Sequence, residues 1–210
     1  MRISTVVKAL LGVAAATPLL CQAESNVQTG SATATGAQAH VDFTITIPKI
    51  LYLRVGTGSS YTTGSLVSNP TMDPITFAVS SAVLGNGTSV AGGGGDLTGG
   101  VETAAVVSNS GDVTLNATTA GALSDGAGDS IAFSQITTTP SSLTSTTALP
   151  APTLTNGTSG NVTLTAPATK VIVQDAKWTY GYANSAVPPA GTYGGLIANN
   201  SRVTYTATMP

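Results

Sequence analysis

The chain has 210 residues, of which 24 are glycine, and only 8% are charged and 5% aromatic. Glycine, threonine, serine and asparagine are poor helix formers, whereas threonine and valine fit a pleated strand, so the composition excludes a mainly helical protein. The seven basic residues are too few for nucleic-acid binding, and the small negative net charge is too weak to drive binding to a charged polymer.

Residues 1–23 have the pattern of a secretory signal peptide. Arg2 and Lys8 supply a basic start, residues 9–20 are apolar, and Ala23 is a small residue suited to cleavage. The apolar stretch is shorter than the ~20 residues that span a bilayer, so we expect no transmembrane segment. The pattern predicts export, with the periplasm, the cell surface (as part of a fimbrium) or the extracellular space as the destination.

Cys21 leaves one alternative open. A leucine followed by cysteine is typical of a lipoprotein signal, but Leu20 stands where a small residue is normal. Cleavage after Ala23 instead removes the only cysteine, and a mature chain that starts at Glu24 then forms no internal disulfide.

Beyond the leader, the pattern predicts an all-β protein. Residues 24–36 are small and polar and are expected to form a flexible N-terminal arm, whereas apolar and polar residues alternate from Ala37 to Ile47, which predicts a long half-buried strand. The Gly-rich stretch 84–100 and the Ser/Thr/Pro-rich stretch 137–155 are expected to be long exposed loops. About seven to nine short strands between turn signals predict a single immunoglobulin-like β-sandwich over residues 37–210. The remaining predicted strands lie around residues 50–55, 75–79, 101–107, 113–117, 131–133, 162–164, 171–180 and 203–207.

Residues for catalysis or metal binding are sparse. His40 is the only histidine and lies on the polar face of the first predicted strand, so nucleophilic catalysis lacks a base. The segment Asp125–Asp129 could offer oxygen atoms to calcium but has too few ligands. We therefore expect no enzyme activity, no cofactor and no metal. The acidic residues are expected singly in turns, where aspartate accepts hydrogen bonds from its own backbone, and they are Asp96, Glu102, Asp112, Asp125, Asp129 and Asp175.

Aromatic residues concentrate near the C-terminus. Trp178, Tyr180 and Tyr182 follow one another at every second position, so they share one face of a predicted strand. That face either fills the core or forms a platform on which a sugar ring can stack. The core interpretation is favoured because the chain has few other large side chains with which to fill its interior.

The C-terminal residues carry a recognisable pattern. The segment 188–193 reads Pro-Pro-Ala-Gly-Thr-Tyr, and a Thr-rich alternating strand follows that places Val203, Tyr205 and Ala207 on one face. This pattern resembles the C-terminal end of secreted Gram-negative fimbrial-type subunits, the group of spore coat protein U and the archaic chaperone–usher pilins. The resemblance implies an incomplete immunoglobulin-like sandwich that assembles by donor-strand complementation, with a periplasmic chaperone and an usher as partners.

A donor strand needs bulky apolar residues at alternate positions. Residues 24–36 offer little beyond Val27, whereas Val41, Phe43, Ile45 and Ile47 have this chemistry. We therefore hypothesise that Ala37 to Ile47 is the donated strand. Whether this strand pairs within its own domain instead stays open.

The first functional interpretation is a secreted structural or adhesive cell-surface protein, a fimbrial-like or extracellular-matrix subunit that associates with itself or with sibling subunits. The alternative is a monomeric secreted binding module for carbohydrate or another surface ligand, with Trp178, Tyr180 and Tyr182 as the stacking face. A hydrolase is the third interpretation, and its acids would come from Asp112, Asp125 and Asp129.

Overall fold

The computed structural model describes residues 25–27, 29, 36–58 and 66–210. The predicted signal peptide, Cys21 and most of the predicted N-terminal arm lie outside these residues. The chain divides into two compact units, residues 1–47 and residues 48–210. Its described part is 33% strand and 2% helical, which confirms the all-β prediction, and contains no helix of the length and apolarity that a membrane span requires.

All assigned strands lie in the second unit, and one 3₁₀ helix, Phe133–Gln135, interrupts the series. The strands are β1 (Leu51–Val55), β2 (Ile75–Thr76), β3 (Val90–Ala91), β4 (Gly93–Gly94), β5 (Val101–Ser108), β6 (Val113–Thr119), β7 (Leu123–Ser124), β8 (Ser130–Ile131), β9 (Ile136–Ser141), β10 (Val162–Leu164), β11 (Ile172–Tyr182) and β12 (Val203–Thr208).

The larger sheet is built around β11. Its strand order is β1-β5-β11-β3, and β9 is a further partner of β11. All of these pairings are antiparallel. β5 has small and β-branched residues on both faces and is buried over most of its length, as expected of a central strand. The β5–β11 register, Ile172 opposite Ser108 to Thr179 opposite Val101, fixes which side chains enter the core.

The smaller sheet, β10-β6-β12, packs face to face on the larger one, which gives a β-sandwich. Alternate residues of β6, among them Val113 and Leu115, are fully buried. Across the interface, the ring of Trp178 lies 5.2 Å from that of Tyr205, and Trp178 Nε1 donates a hydrogen bond to the Leu149 carbonyl (2.8 Å). The core therefore sits between β6 and β12 on one side and β5 and β11 on the other.

The aromatic triplet belongs to this core. Trp178 is 0% exposed, Tyr180 7% and Tyr182 5%. No ring face is left on which a sugar could stack, so the stacking hypothesis for these residues is wrong. Burying them instead supplies the large apolar volume that a core rich in alanine, valine and threonine lacks.

Both predicted long loops contain strands. In the stretch 84–100, β3 pairs with β11 and β4 with β2. Glycine makes this possible because backbones approach closely: a Cβ on Gly100 would lie 2.6 Å from the Gly92 Cα. In the stretch 137–155, the threonine run forms most of β9, and Leu149 and Leu154 are buried. The prediction of two exposed loops is corrected accordingly.

Replacing Trp178 by alanine should destabilise the protein strongly. The change empties the centre of the core and removes the Nε1 bond to Leu149, so the free energy of unfolding should fall by about 3–5 kcal/mol in urea denaturation followed by circular dichroism. Thr179→Ala, at the exposed neighbouring position of β11, is the control and should cost less than about 1 kcal/mol. Equal effects of the two substitutions would contradict the core assignment.

Candidate functional site

The segment Val41–Ile47 belongs to no strand, helix or turn of the described residues. Val41 is 73% exposed, Phe43 87%, Ile45 84% and Ile47 75%. The prediction of a half-buried strand at 37–47 is therefore wrong on burial and on pairing, and the domain predicted to start at residue 37 is better bounded at Pro48. His40, at the start of this segment, is exposed, as expected of a residue on a polar face.

Four large apolar side chains at alternate positions are an unusual surface feature. Burying one such side chain stabilises a protein or a complex by about 1.5–3 kcal/mol. A partner that covered all four side chains of this segment would therefore be bound favourably. Contiguous apolar surface of this kind marks interaction sites. The period of two specifies the geometry of the partner, because only a strand pairing presents all four side chains to one face.

The second unit has a matching open edge on its smaller sheet. β12 pairs with β6 on one side, and no described strand pairs with its other side. Its inward-facing residues are only half-buried, whereas the residues opposite two of them on β6, Leu115 and Ala117, are 0% and 2% exposed. These half-buried residues are Val203, Tyr205 and Ala207, the ones predicted to form the inward face.

The edge strand of the larger sheet, β1, likewise has half-buried residues on its inward face. Leu51, Leu53 and Val55 are half-buried, although their neighbours on β5, such as Ala104 and Val106, are fully buried. β1 and β12 lie next to each other across the core without sharing a ladder. We call this line, along which the edge strands of the two sheets lie side by side, the β1/β12 edge.

A hydrogen bond within the segment 188–193 stabilises the turn before β12. The Tyr193 hydroxyl donates a hydrogen bond to the Pro189 carbonyl (2.8 Å), which closes the segment 188–193 on itself. The loop from Leu196 to Asn200 has two positive φ angles at its asparagines, a conformation that asparagine tolerates better than most residues.

Most acidic residues occupy turns, as predicted. Asp125 Oδ1 accepts hydrogen bonds from the backbone N–H groups of Ala127 (2.8 Å), Gly128 (3.1 Å) and Asp129 (3.0 Å), which hold its pKa below the ordinary value. This oxygen is committed to its own loop, so the loop is explained without calcium. Asp112 Oδ1 likewise accepts a hydrogen bond from the Ala166 N–H (2.8 Å).

Asp175 has a structural role inside β11. It is 1% exposed and accepts hydrogen bonds from the Thr144 N–H (2.9 Å), the Ser145 N–H (2.7 Å) and the Thr144 hydroxyl. Burial acts to raise the pKa of Asp175, but these hydrogen bonds outweigh it and lower the pKa. The carboxylate thereby attaches the loop after β9 to the middle of the sheet.

Asp96 and Glu102 differ from the other acids because they are not isolated. Asp96 and Glu102 come together with Asp73, an acid that the sequence did not single out, and their carboxylate oxygens lie within 4.8 Å of one another. Burial, followed by the negative charges of Asp96 and Asp73, raises the pKa of Glu102 to about 8. No sequence motif marks this cluster, because the three residues are separated along the chain and each stands beside turn-forming residues.

The chain has no match among protein-family models, among curated proteins or among solved structures.

Replacing Asp175 by asparagine should lower stability in a pH-dependent way. The amide loses charged acceptor capacity, so the free energy of unfolding at pH 7 should fall by about 1–3 kcal/mol. Because the folded-state pKa of Asp175 is lowered, its contribution is present above the unfolded-state pKa of about 3.9 and is lost as the pH falls through the folded-state value. The difference between the two proteins in urea denaturation should therefore shrink in strong acid.

Asp129→Asn, at an exposed position, is the matched control and should leave stability within about 0.5 kcal/mol at every pH. A stability difference for Asp175→Asn that is the same at neutral and acid pH would show that the carboxylate charge is not what matters.

Proposed function

We propose that this protein is an exported structural or adhesive subunit of a fimbrial-like assembly, and that the segment Val41–Ile47 of one copy completes the β1/β12 edge of the next. The observation that carries the proposal is the exposure of Val41, Phe43, Ile45 and Ile47 at alternate positions of one segment. A segment with the side-chain pattern of a strand, but paired with no described strand, is what strand addition between subunits requires.

The open edge supports the same proposal from the acceptor side. Adding one strand beside β12 would satisfy its free backbone groups and cover the half-buried Val203, Tyr205 and Ala207. At about 3.3 Å per residue, the seven residues of Val41–Ile47 span about 23 Å and the six of β12 about 20 Å, so donor and acceptor match in length.

The connection into β1 favours a neighbouring copy as the acceptor. Asn109 Nδ2 donates a hydrogen bond to the Pro48 carbonyl (2.8 Å), and the Ile50 N–H donates one to Asn109 Oδ1 (2.8 Å). The Asn109 N–H in turn donates to the Ile50 carbonyl (3.3 Å), which prolongs the β1–β5 ladder by one residue pair. Residues 48–50 are thus held in line with β1 and contain no reverse turn that would form a hairpin.

The resemblance of the C-terminal pattern to the spore coat protein U and archaic chaperone–usher pilin group adds the cellular context. It suggests an immunoglobulin-like topology, passage through the periplasm, a chaperone that covers the β1/β12 edge before assembly, and an usher. The signal-peptide pattern of residues 1–23 agrees with that route. A structural role also accords with the low proportion of charged residues and the abundance of threonine and serine.

Charged residues on one face of the donor segment should abolish assembly. Phe43→Glu with Ile45→Glu places two charges against an apolar edge, so filaments sheared from producing cells should disappear in negative-stain electron microscopy. The control is Thr44→Glu with Thr46→Glu, which adds the same charge to the opposite face of the same exposed segment and should leave the filaments intact. Filaments from the first variant, or equal losses from both, would refute the strand-donor proposal.

A peptide of residues 37–47 should bind the full chain that carries Phe43→Glu and Ile45→Glu. That variant lacks a usable donor but keeps its acceptor edge, so titration calorimetry should detect one peptide per chain. The same peptide with glutamate at positions 43 and 45 should not bind detectably, because it cannot cover Tyr205 and its neighbours on the edge. Equal binding of the two peptides would show that the edge does not recognise the apolar face.

A further inference from the structure

The acidic cluster lies where four parts of the second unit meet. Asp73 stands just before β2, Asp96 follows β4, and Glu102 is the second residue of β5, while the loop of Gly56 and Gly58 leaves β1 beside them. One carboxylate oxygen from each acid lies within 4.8 Å of the other two. The cluster borders the β1/β12 edge, because Gly56 directly follows β1 and the charge of Glu102 acts on Tyr205 of β12.

Glu102 is the member that most needs a ligand. The residue is only 4% exposed, and neither of its carboxylate oxygens accepts a hydrogen bond of normal geometry from a described residue, although the Asp96 N–H is close enough to oppose the rise in the pKa of Glu102. Its Oε2 faces the space above Gly56, where a Cβ would lie 2.7 Å from Glu102 Oε2 and 3.0 Å from Asp73 Oδ2. Gly56 also has a φ of +84°, which favours glycine, so two acids face a common space that no side chain fills.

Neutral oxygens adjoin the acids. The Thr103 hydroxyl faces two acceptors at once, the Gly58 carbonyl and Asp96 Oδ2, although it carries a single proton. Backbone groups orient the carboxylates, since the Thr57 N–H donates to Asp73 Oδ2 (2.5 Å) and the Gly58 N–H to Asp96 Oδ2 (2.9 Å). The Thr103 N–H also donates to Asp96 Oδ1 (2.9 Å), so hydrogen bonds hold Asp96 and Asp73 in place, and Glu102 is the acid whose oxygens lack such donors.

The charge of the cluster fits a divalent cation. Three acids adjoin a single cationic side chain among the described residues, Arg54, whose Nη2 donates to the Gly58 carbonyl (3.5 Å), so a divalent cation would balance the charge that Arg54 leaves. Without a cation, the mutual repulsion of the acids and the burial of Glu102 favour retention of a proton, in agreement with its raised pKa.

We propose that Asp73, Asp96 and Glu102 bind one calcium ion, with the Gly58 carbonyl and the Thr103 hydroxyl as additional oxygen ligands. Calcium accepts six to eight oxygen ligands in irregular geometry, as a cluster drawn from several loops provides, whereas magnesium demands a near-ideal octahedron. The cluster contains no nitrogen or sulfur ligand of the kind that zinc prefers. The bound ion would fasten the β2/β4 ribbon to the ends of β1 and β5.

Calcium and terbium titrations of the full-length mature chain test this site. After removal of metal with a chelator, calorimetry should detect one calcium ion per chain, and the unfolding midpoint should rise by about 5–10 °C at calcium a hundredfold above Kd, with magnesium far less effective. Trp178, the only tryptophan, lies opposite Glu102 on the neighbouring strand, so terbium in the site should emit on tryptophan excitation.

Glu102→Gln is the decisive variant. It keeps the shape of the side chain and removes no hydrogen bond of normal geometry, so it should fold and lose calcium binding, the calcium-dependent rise in midpoint and the terbium signal. Asp73→Asn, at a half-exposed position, should weaken binding at least tenfold, and Asp129→Asn is the control that should bind as the native chain does. Absence of calcium binding by the native chain, or binding unchanged in Glu102→Gln and Asp73→Asn, would overturn the proposal.

Discussion

The ladder between β5 and β11 is the interaction on which the rest of the second unit depends. These two strands pair over eight residues, from Ile172 opposite Ser108 to Thr179 opposite Val101, and both are buried over most of their length. Their register sets Trp178 against the smaller sheet and Glu102 at the rim of the core. A slip by one residue would put Trp178 and Glu102 on opposite faces of the sheet, so the core and the acidic cluster depend on the same pairing.

The outer parts of the sandwich are attached to this ladder by polar groups as well as by apolar packing. Asp175 holds the loop after β9, Trp178 Nε1 holds Leu149, and Asn184, which is fully buried, donates through Nδ2 to the Val83 carbonyl. Each of these groups is buried, so its hydrogen bonds form in a medium of low dielectric where leaving one unmade is costly. The described part of the chain contains no cysteine, and such bonds take over part of what disulfides do in disulfide-bonded domains.

The sequence predicts the long strands well because alternating apolar and polar residues correspond to buried and exposed positions along a strand. β5, β6, β11 and β12 all lie where the apolar pattern places them. It misses β9 because a run of threonines has no alternation, and it misses the glycine strand β4 because glycine has no side chain to reveal a face. The burial of the segment Val41–Ile47 was predicted wrongly for a different reason. Its alternation indicates that the segment can pair as a strand, but it does not indicate whether the partner strand belongs to the same molecule.

The acidic cluster was beyond sequence reasoning for a different reason. Asp73, Asp96 and Glu102 are separated along the chain, with Asp73 and Asp96 in turns or loops and Glu102 on β5, so no local pattern joins them. Only the fold reveals that they meet, and only the burial of Glu102 distinguishes the group from ordinary surface acids. The residues of the proposed strand addition are visible in the sequence because strand addition would depend on a local pattern, whereas the proposed ion site would depend on tertiary placement.

The in-line entry of residues 48–50 into β1 has a mechanical consequence. Any pull on the polypeptide before Pro48 reaches β1 along the axis of the strand, because Asn109 keeps that connection straight. The hydrogen bonds between β1 and β5 run perpendicular to the strands, and all five residue pairs from Leu51 to Val55 then resist the force in shear together instead of opening one after another. A filament joined through this connection would yield at a high force and would fail at its joints only when whole ladders part.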